Sequence, residues 1–259
     1  MRRPIEVEGL RLSIYKEVTG TNALLKERAA LGEAEGLVII ASSQTEGRGR
    51  YGRAFYSPEG TGLYLSVLLR PKFEAKKAQY LTCLAAVCGA RAVERVSGER
   101  VGIKWVNDLI LRGRKICGIL TESAIDLESG GLEWAVMGIG FNLADPKGGW
   151  GELEGIAGSI FGEAAPEGKL EELAEVFLRD FWSEYSSFDE RRFLDEYRSR
   201  QTALGKTVEV ISRGEEPKKA KAVGVDDGFR LIVEYPDGAR APLFSGEVRI
   251  LIRGEENEA

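Results

Sequence analysis

The sequence predicts an α+β protein. A mixed β-sheet domain flanked by helices is expected over residues 1–204, a small β-barrel over 205–253, and a polar tail over 254–259. Three observations predict it. Short apolar runs such as L-V-I-I-A at 37–41 interleave with amphipathic helical stretches as far as residue 200. Leu204-Gly205 then breaks that rhythm. Beyond it, five short strand-like segments are punctuated by Arg213-Gly214, Asp226-Asp227-Gly228, Pro236-Asp237-Gly238 and Ser245-Gly246, the spacing of a small barrel.

Residues 10–18 alternate as a strand. Thr19-Gly20-Thr21-Asn22 opens a helix reaching Leu31, with Thr21 or Asn22 placed to cap it. The run at 37–41 reads as a buried strand that hands Ser42, Ser43 and Gln44 to a loop rich in glycine and arginine, and 62–69 reads as the next strand. Over 76–96, Leu81, Leu84, Ala85, Cys88 and Ala92 recur at helical spacing. Residues 101–105 are β-prone, and 108–111 with 114–122 form a hairpin around Arg112-Gly113. A strand over 132–143 ends in G-I-G-F-N-L, and helices follow over 170–185 and 188–200. The closing strands are 207–211, 219–225, 229–234, 240–243 and 247–252.

Composition narrows the chemistry. The formal charge is −5 with a pI near 5.2, which argues against a general nucleic-acid or membrane-surface role. No apolar run approaches the ~20 residues of a membrane span. The start Met1-Arg-Arg-Pro is not a signal core, so secretion is not expected. There is no histidine, which removes Ser-His-Asp and Cys-His catalysis and any histidine-based zinc site. Cys83, Cys88 and Cys117 have no C-x-x-C spacing and suit a reducing cytoplasm. Chemistry must come from Lys, Arg, Asp, Glu, Asn and backbone amides.

Three clusters stand out. In residues 44–58, Q-T-E-G-R-G-R-Y-G-R-A-F-Y-S-P, Gly47, Gly49 and Gly52 alternate with Arg48, Arg50 and Arg53. Glycine lets backbone N–H groups approach a ligand, and arginine brings a planar fork of donors for phosphate or carboxylate. Taken alone, the stretch reads equally as an exposed Arg-Gly loop or an RNA-binding box. In K-W-V-N-D at 104–108, a cation, an indole, an amide and a carboxylate adjoin. A structural reading is open there too: Trp105 in the core, Lys104 solvated, Asn107-Asp108 in a turn. In the third cluster, R-K-I-C-G-I-L at 114–120, regular alternation would place Lys115, Cys117 and Ile119 on one strand face. An apolar face accepts Lys115 only if its charge meets an anion or snorkels to water.

Thr21-Asn22, Gln44, G-R-G-R-x-G with F-Y-S-P, G-x-L-Y-L-S, K-W-x-N-D-L, R-K-x-x-G-I-L, G-I-G-F-N and S-G-E-V at 245–248 occur in that order. This series resembles the biotin–protein ligases (biotin–[acetyl-CoA-carboxylase] ligases) from about residue 10 to residue 252. The resemblance implies a class II synthetase-like catalytic sheet of the biotin/lipoate ligase superfamily and an SH3-like C-terminal barrel. It implies ATP and biotin as substrates with Mg2+, and two half-reactions: formation of biotinoyl-5′-AMP with release of pyrophosphate, then transfer of biotin to one lysine of a biotin carboxyl carrier protein. It also implies a cytoplasmic homodimer without DNA or membrane contacts. The bifunctional members carry a helix-turn-helix domain before the catalytic domain, whereas here Thr21-Asn22 arrives early, as in the monofunctional type.

The residue roles that follow from the resemblance are these. Thr21, Asn22 and Gln44 bind the ureido ring of biotin. Gly47, Arg48, Gly49 and Arg50 form the loop that closes over the acyl-adenylate, and Gly118 lies in the same biotin pocket. Arg48 and Arg50 meet the biotin carboxylate and α-phosphate, Arg53 the outer phosphates, and Phe55 the adenine. Lys115 contacts the biotin carboxyl and the reacting phosphate; Lys104, Asn107 and Asn142 serve the nucleotide. Asp108 is open to two roles, holding Mg2+ or acting on the incoming lysine amine. Val106 replaces the family's usual proline in K-W-P-N-D, which removes no functional group. Cys117 beside Lys115 invites a thioester reading, but a buried packing residue is expected.

Two rivals remain. A lipoate–protein ligase or octanoyltransferase shares the fold and the lysine-acylating logic, but residues 44–52, K-W-x-N-D and the barrel point away from it. A non-catalytic nucleic-acid module built on Arg48, Arg50 and Arg53 is opposed by the acidic balance.

Overall fold

Strand β1 (Arg11–Val18), helix α1 (Thr21–Ala30) and strand β2 (Leu37–Gln44) form a βαβ unit with the two strands parallel. Strand β3 (Gly62–Leu69) returns antiparallel beside β2, and helix α2 (Ala78–Ser97) then packs over the sheet. Strands β4 (Gly102–Lys104), β5 (Asp108–Leu111), β6 (Arg114–Ile125) and β7 (Leu132–Asn142) follow as an antiparallel meander. The resulting 7-stranded sheet has the order β1-β2-β3-β7-β6-β5-β4. Helices α3 (Lys169–Ser186) and α4 (Glu190–Ser199) lead to a second sheet. It comprises β8 (Thr207–Val210), β9 (Lys218–Val225), β10 (Leu231–Glu234), β11 (Arg240–Leu243) and β12 (Val248–Ile250). This 5-stranded sheet is antiparallel with the order β11-β10-β9-β8-β12, as a small SH3-like module requires. The structure is a computed structural model describing residues 4–187, 189–211, 216–244 and 248–250. The expected turns at 213–214 and 245–246, residues 245–247 of S-G-E-V and the tail at 254–259 lie outside the described residues.

The large sheet has two unlike faces, and the alternation of β7 shows why. Met137, Ile139 and Phe141 join Leu63, Leu65 and Val67 of β3 and Val38 and Ile40 of β2 in the main core, beneath Leu81, Leu84, Val87 and Cys88 of α2. Each such fully buried aliphatic side chain contributes about 1.5–3 kcal/mol. The other face is covered at one end only, where Leu25 and Ala29 of α1, one helical turn apart, pack on Ile39, Leu68 and Val136. Beyond Val136 the same face continues as Gly138, Gly140 and Asn142, which α1 reaches only through Asn22 of its first turn, at Gly138. The helix ends where the open floor begins, so its first residues overlook it.

Arg91 of α2 binds Asp180, Glu184 and Glu196, and Arg200 binds Glu94 and Glu196, tying α3 and α4 to α2. The hairpin tip has Arg112 at φ 51 and Gly113 at φ 76, both in the left-handed region a two-residue turn demands. Three local expectations are corrected. Gly20, not Thr21 or Asn22, is the N-cap of α1, and no side chain of its own caps the helix. Phe229 lies in a turn at φ 60 before β10, not within a strand. Lys115 does not share a face with Cys117 and Ile119, for a reason that belongs to the site.

Candidate active site

The floor is backbone. Cross-strand register aligns Ser66, Gly138 and Leu120 in one row and Tyr64, Gly140, Gly118 and Asp108 in the next. The rows are two residues apart, about 7 Å. A Cβ on Gly138 would stand 2.8 Å from Asn22 Cγ, one on Gly140 2.5 Å from Phe55 Cε1, and one on Gly118 3.0 Å from Phe55 Cε2. The glycines therefore let Asn22 and Phe55 lie directly on the sheet. Phe55 also meets Tyr64 edge-on at 6.4 Å between ring centroids.

One end of this floor is neutral and rich in hydrogen bonds. Gln44 Oε1 accepts the Thr21 backbone N–H at 2.9 Å, supplying from β2 the cap that α1 lacks. Gln44 Nε2 donates to Ser57 Oγ at 2.9 Å, and Ser57 Oγ donates to the Phe55 carbonyl at 2.9 Å. Ser66 Oγ lies 2.6 Å from Asn22 Oδ1 and 2.7 Å from Thr21 Oγ1. A single hydroxyl proton serves one of them. It goes to Asn22 Oδ1 or to Thr21 Oγ1, and the Thr21 hydroxyl in turn donates to Gln44 Oε1 at 3.2 Å. Asn22 Nδ2 donates to the Leu120 carbonyl at 3.2 Å and to Glu122 Oε2 at 2.9 Å, and Lys26 Nζ holds Glu122 at 2.6 Å. Sequence reasoning missed Ser66, Glu122 and Lys26. Signals existed: Ser66 is the one aliphatic hydroxyl in the apolar run of β3 and is fully buried, which obliges it to find a partner. Glu122 shares the alternation of Gly118 and Leu120 on β6.

The glycine-arginine stretch is folded as a hairpin. Phe55 N–H donates to the Gly47 carbonyl, Arg48 bridges Ala54, and Gly49 N–H donates to the Arg53 carbonyl at 2.8 Å. Gly47 is buried, and a Cβ there would be 2.7 Å from Ser57 Oγ. The tip, Arg50–Gly52, is a single 3-10 turn with Tyr51 at φ 59 and Gly52 at φ 73. From the tip Arg50 reaches inward, donating to Asn107 Oδ1 at 3.0 Å and to Tyr51 Oη at 2.6 Å. Arg48 turns outward beside Glu46 at 3.5 Å, and Arg53 is exposed. Of the three arginines, the structure brings only Arg50 to the other site residues.

The opposite end carries charge. Lys115 Nζ stands 2.7 Å from Asp108 Oδ1 as an ion pair, one-third exposed on the lysine side. The β5–β6 register shifts between Leu109 and Ile110, so Leu109 opposes Cys117 while Ile110 opposes Lys115. The extra residue, Ile116, is a β-bulge that reverses the alternation. Ile116 and Cys117 are consequently both buried, and Lys115 joins Gly118 and Asp108 on the floor. Lys115 also takes backbone support from the loop after β7, donating to the Ile156 carbonyl and accepting from Gly158 N–H. Lys104, cross-strand neighbour of Asp108, is half-buried. Asn107 Nδ2 donates to the Ile119 carbonyl, and the Trp105–Val106 peptide is cis. Asn142 is buried, its amide donating to the Gly158 carbonyl at 3.0 Å. Burial pushes the Cys117 thiol well above its ordinary pKa, which leaves no thiolate for thioester chemistry.

The arrangement thus places neutral donors and acceptors and a cation-carboxylate group on one floor, with Phe55 between. It suits a ligand with a neutral polar head, a short apolar body and an anionic end. Asp108 Oδ1 faces Lys115, and among the described residues no group of three His, Cys, Asp or Glu side chains is placed to hold an ion without a substrate's help.

Known proteins share this architecture. Residues 15–142 match the biotin/lipoate A/B protein ligase family. The chain is 30% identical over 248 residues to the bifunctional ligase/repressor BirA of Bacillus subtilis, covering 95% of this chain and 75% of that one. It is 30% identical over 250 residues to a biotin–[acetyl-CoA-carboxylase] ligase of Mycobacterium tuberculosis, covering 92% and 88%. The biotin protein ligase of Aquifex aeolicus solved with biotin and ATP superposes with a TM-score of 0.74 at 24% identity, covering 93% of this chain and 98% of that one, a likeness of fold. The chain belongs to the biotin/lipoate A/B protein ligase family, on its biotin–protein ligase branch.

Proposed function

We propose that the protein activates biotin with ATP and transfers it to a lysine of a biotin carboxyl carrier protein. One observation carries this reading: the Asn22 cluster and the Lys115–Asp108 pair share one glycine floor about two residue rows apart. A ureido ring offers one acceptor and two N–H donors to Thr21, Asn22, Gln44 and Ser66. The apolar rings and valeryl chain would take the place where Phe55 now rests. The carboxylate then arrives beside Lys115.

In the first half-reaction a biotin carboxylate oxygen attacks the α-phosphorus of ATP, and the bond to pyrophosphate breaks. Both reactants are anions, so their approach depends on positive charge fixed in advance. Lys115 and Arg50 supply it, and the hairpin of residues 47–55 holds Arg50 at the Asn107 side. Mg2+ enters as Mg·ATP, the substrate. In the second half-reaction a neutral lysine amine attacks the acyl carbon, AMP departs, and the amine proton is released. Nucleophile and leaving groups belong to the substrates, so the catalytic contribution is positioning and electrostatics and needs no histidine.

The test is pyrophosphate release with Mg·ATP and, separately, biotin, lipoate and octanoate, followed by mass spectrometry of the retained ligand. Release with biotin and a retained mass of biotinoyl-AMP are expected. Release with lipoate or octanoate and none with biotin would replace this reading with the rival acylation.

A further inference from the structure

Phe229 departs from every local rule of its segment. It is a bulky residue held at φ 60, a conformation that costs energy and persists only where surroundings over-determine it. It lies in the turn between β9 and β10 of the small C-terminal sheet, yet its fully buried ring sits in an aromatic box from the other part of the chain. Tyr80 of α2 is 4.9 Å away between centroids, Phe193 of α4 5.1 Å and Tyr197 of α4 5.3 Å, all within the range of favourable ring packing. The turn that presents it is built for rigidity. Asp226 Oδ1 accepts the N–H groups of Gly228 and Arg230 at 2.9 Å, Asp226 Oδ2 binds Arg230, and Arg198 of α4 donates to the Val225 carbonyl at 2.8 Å.

The Phe229 carbonyl has two side-chain donors. Trp105 Nε1 donates at 2.9 Å and Gln79 Nε2 at 3.1 Å. Tyr197, packed on the same ring, donates through its hydroxyl to the Val106 carbonyl at 3.1 Å. Trp105 and Val106 are therefore held at consecutive positions, one by Phe229 itself and one by a tyrosine that Phe229 braces. The next two residues are Asn107, which receives Arg50, and Asp108, which faces Lys115.

We infer that Phe229 is a positioning residue for the nucleotide-side turn: the C-terminal sheet sets the placement of Asn107 and Asp108 through Trp105 and Tyr197. The inference rests on the proposed biotin adenylation. The chemistry stays in the large sheet, and the small sheet determines how well its Lys104–Asp108 segment meets ATP, while the Thr21–Asn22 end is untouched.

Two donors to one carbonyl make a sharp test. Trp105→Phe keeps an aromatic body and loses the N–H that joins the site turn to Phe229. Gln79→Met loses the other N–H, which hangs from α2 and touches no site residue. Pyrophosphate exchange is measured at varied ATP and at varied biotin in both variants and in Phe229→Leu, with melting temperatures alongside. For Trp105→Phe the KM for ATP should rise by about fivefold or more, the scale of one hydrogen bond, with the KM for biotin within about twofold of wild type. Phe229→Leu should shift the same way and further, and Gln79→Met should alter neither KM. Equal effects of Trp105→Phe and Gln79→Met, or an unchanged KM for ATP in Trp105→Phe, would reduce Phe229 to an ordinary packing residue. Wild-type protein that exchanges no pyrophosphate with biotin would instead remove the adenylation reading on which the inference stands.

Discussion

Adding one methyl group at Gly138 tests whether the sheet floor is a binding surface. In Gly138→Ala the new Cβ would lie 2.8 Å from Asn22 Cγ and 3.1 Å from Asn22 Nδ2. Carbon atoms in comfortable contact sit about 3.5–4.0 Å apart, so the amide must withdraw by about 1 Å. It has no free direction to take. Ser66 holds its oxygen at 2.6 Å, and the Leu120 carbonyl and Glu122 hold its nitrogen at 3.2 and 2.9 Å. Withdrawal sacrifices the Ser66 bond first and leaves that fully buried hydroxyl with Thr21 Oγ1 alone. A lost neutral bond costs about 1 kcal/mol, and the bond to charged Glu122 about 1.5–3 kcal/mol. Displacing the amide by about 2–3 kcal/mol converts to a fall in biotin affinity of roughly 30- to 150-fold.

Isothermal titration of biotin into Gly138→Ala measures this directly, with Gly148→Ala as control because a Cβ there meets nothing within 4 Å. The effect should also be non-additive with Asn22→Ala, since once the amide is gone the methyl has nothing to strike. A dissociation constant for Gly138→Ala within about twofold of wild type would show that Asn22 does not hold the ligand's polar head, whatever its hydrogen bonds do for the fold.

Three further outcomes are expected. Lys115→Ala should cut pyrophosphate exchange by about a hundredfold or more with the fold intact, because it removes a cation from the reacting end of the floor; exchange at the wild-type rate would end its catalytic assignment. Arg50→Gly breaks the contact from the hairpin tip to Asn107, so biotinoyl-AMP should escape and label lysines on bystander proteins; labelling confined to the carrier would refute retention by this loop. Tyr64, buried beside Phe55, has its phenol pushed up to about 12 by burial. Its contribution to stability is fully present below the unfolded value of about 10 and is lost as pH rises through about 12. Tyr64→Phe should therefore flatten the decline of the urea midpoint over that window, and parallel declines in both proteins would contradict it.

Most of the architecture was legible because it follows periodicity. The apolar stripe of α2, the fully buried β3 and the Arg112-Gly113 turn obey rules that act over a few residues. What escaped depends on partners far away in the chain. Thr21 looks like a helix cap by its type, yet the cap comes from Gln44 across the sheet, and Thr21 is thereby freed to face the floor. Phe229 looks like a strand residue by its β-propensity, yet aromatic neighbours from α2 and α4 hold it in a left-handed turn. Arg48, Arg50 and Arg53 are indistinguishable in sequence; the hairpin of residues 47–55 separates them, sending Arg50 inward and Arg48 toward Glu46.

Lys115 shows how one irregularity can decide whether a sheet has a site at all. With unbroken alternation the lysine would lie under α2 beside Cys117 and Ile119, both almost fully buried. A buried, unpaired ammonium there would cost several kcal/mol or lose its proton. The single extra residue at Ile116 turns Lys115 to the floor while Cys117 and Ile119 keep their places in the core. The pair with Asp108 and the place of the Lys115 ammonium beside Gly118 both follow from that step in register. Catalytic placement and core packing are therefore coupled through Ile116. Removing the bulge would force a choice between a charged core and a misregistered strand, so the bulge is as much a part of the site as the lysine it turns.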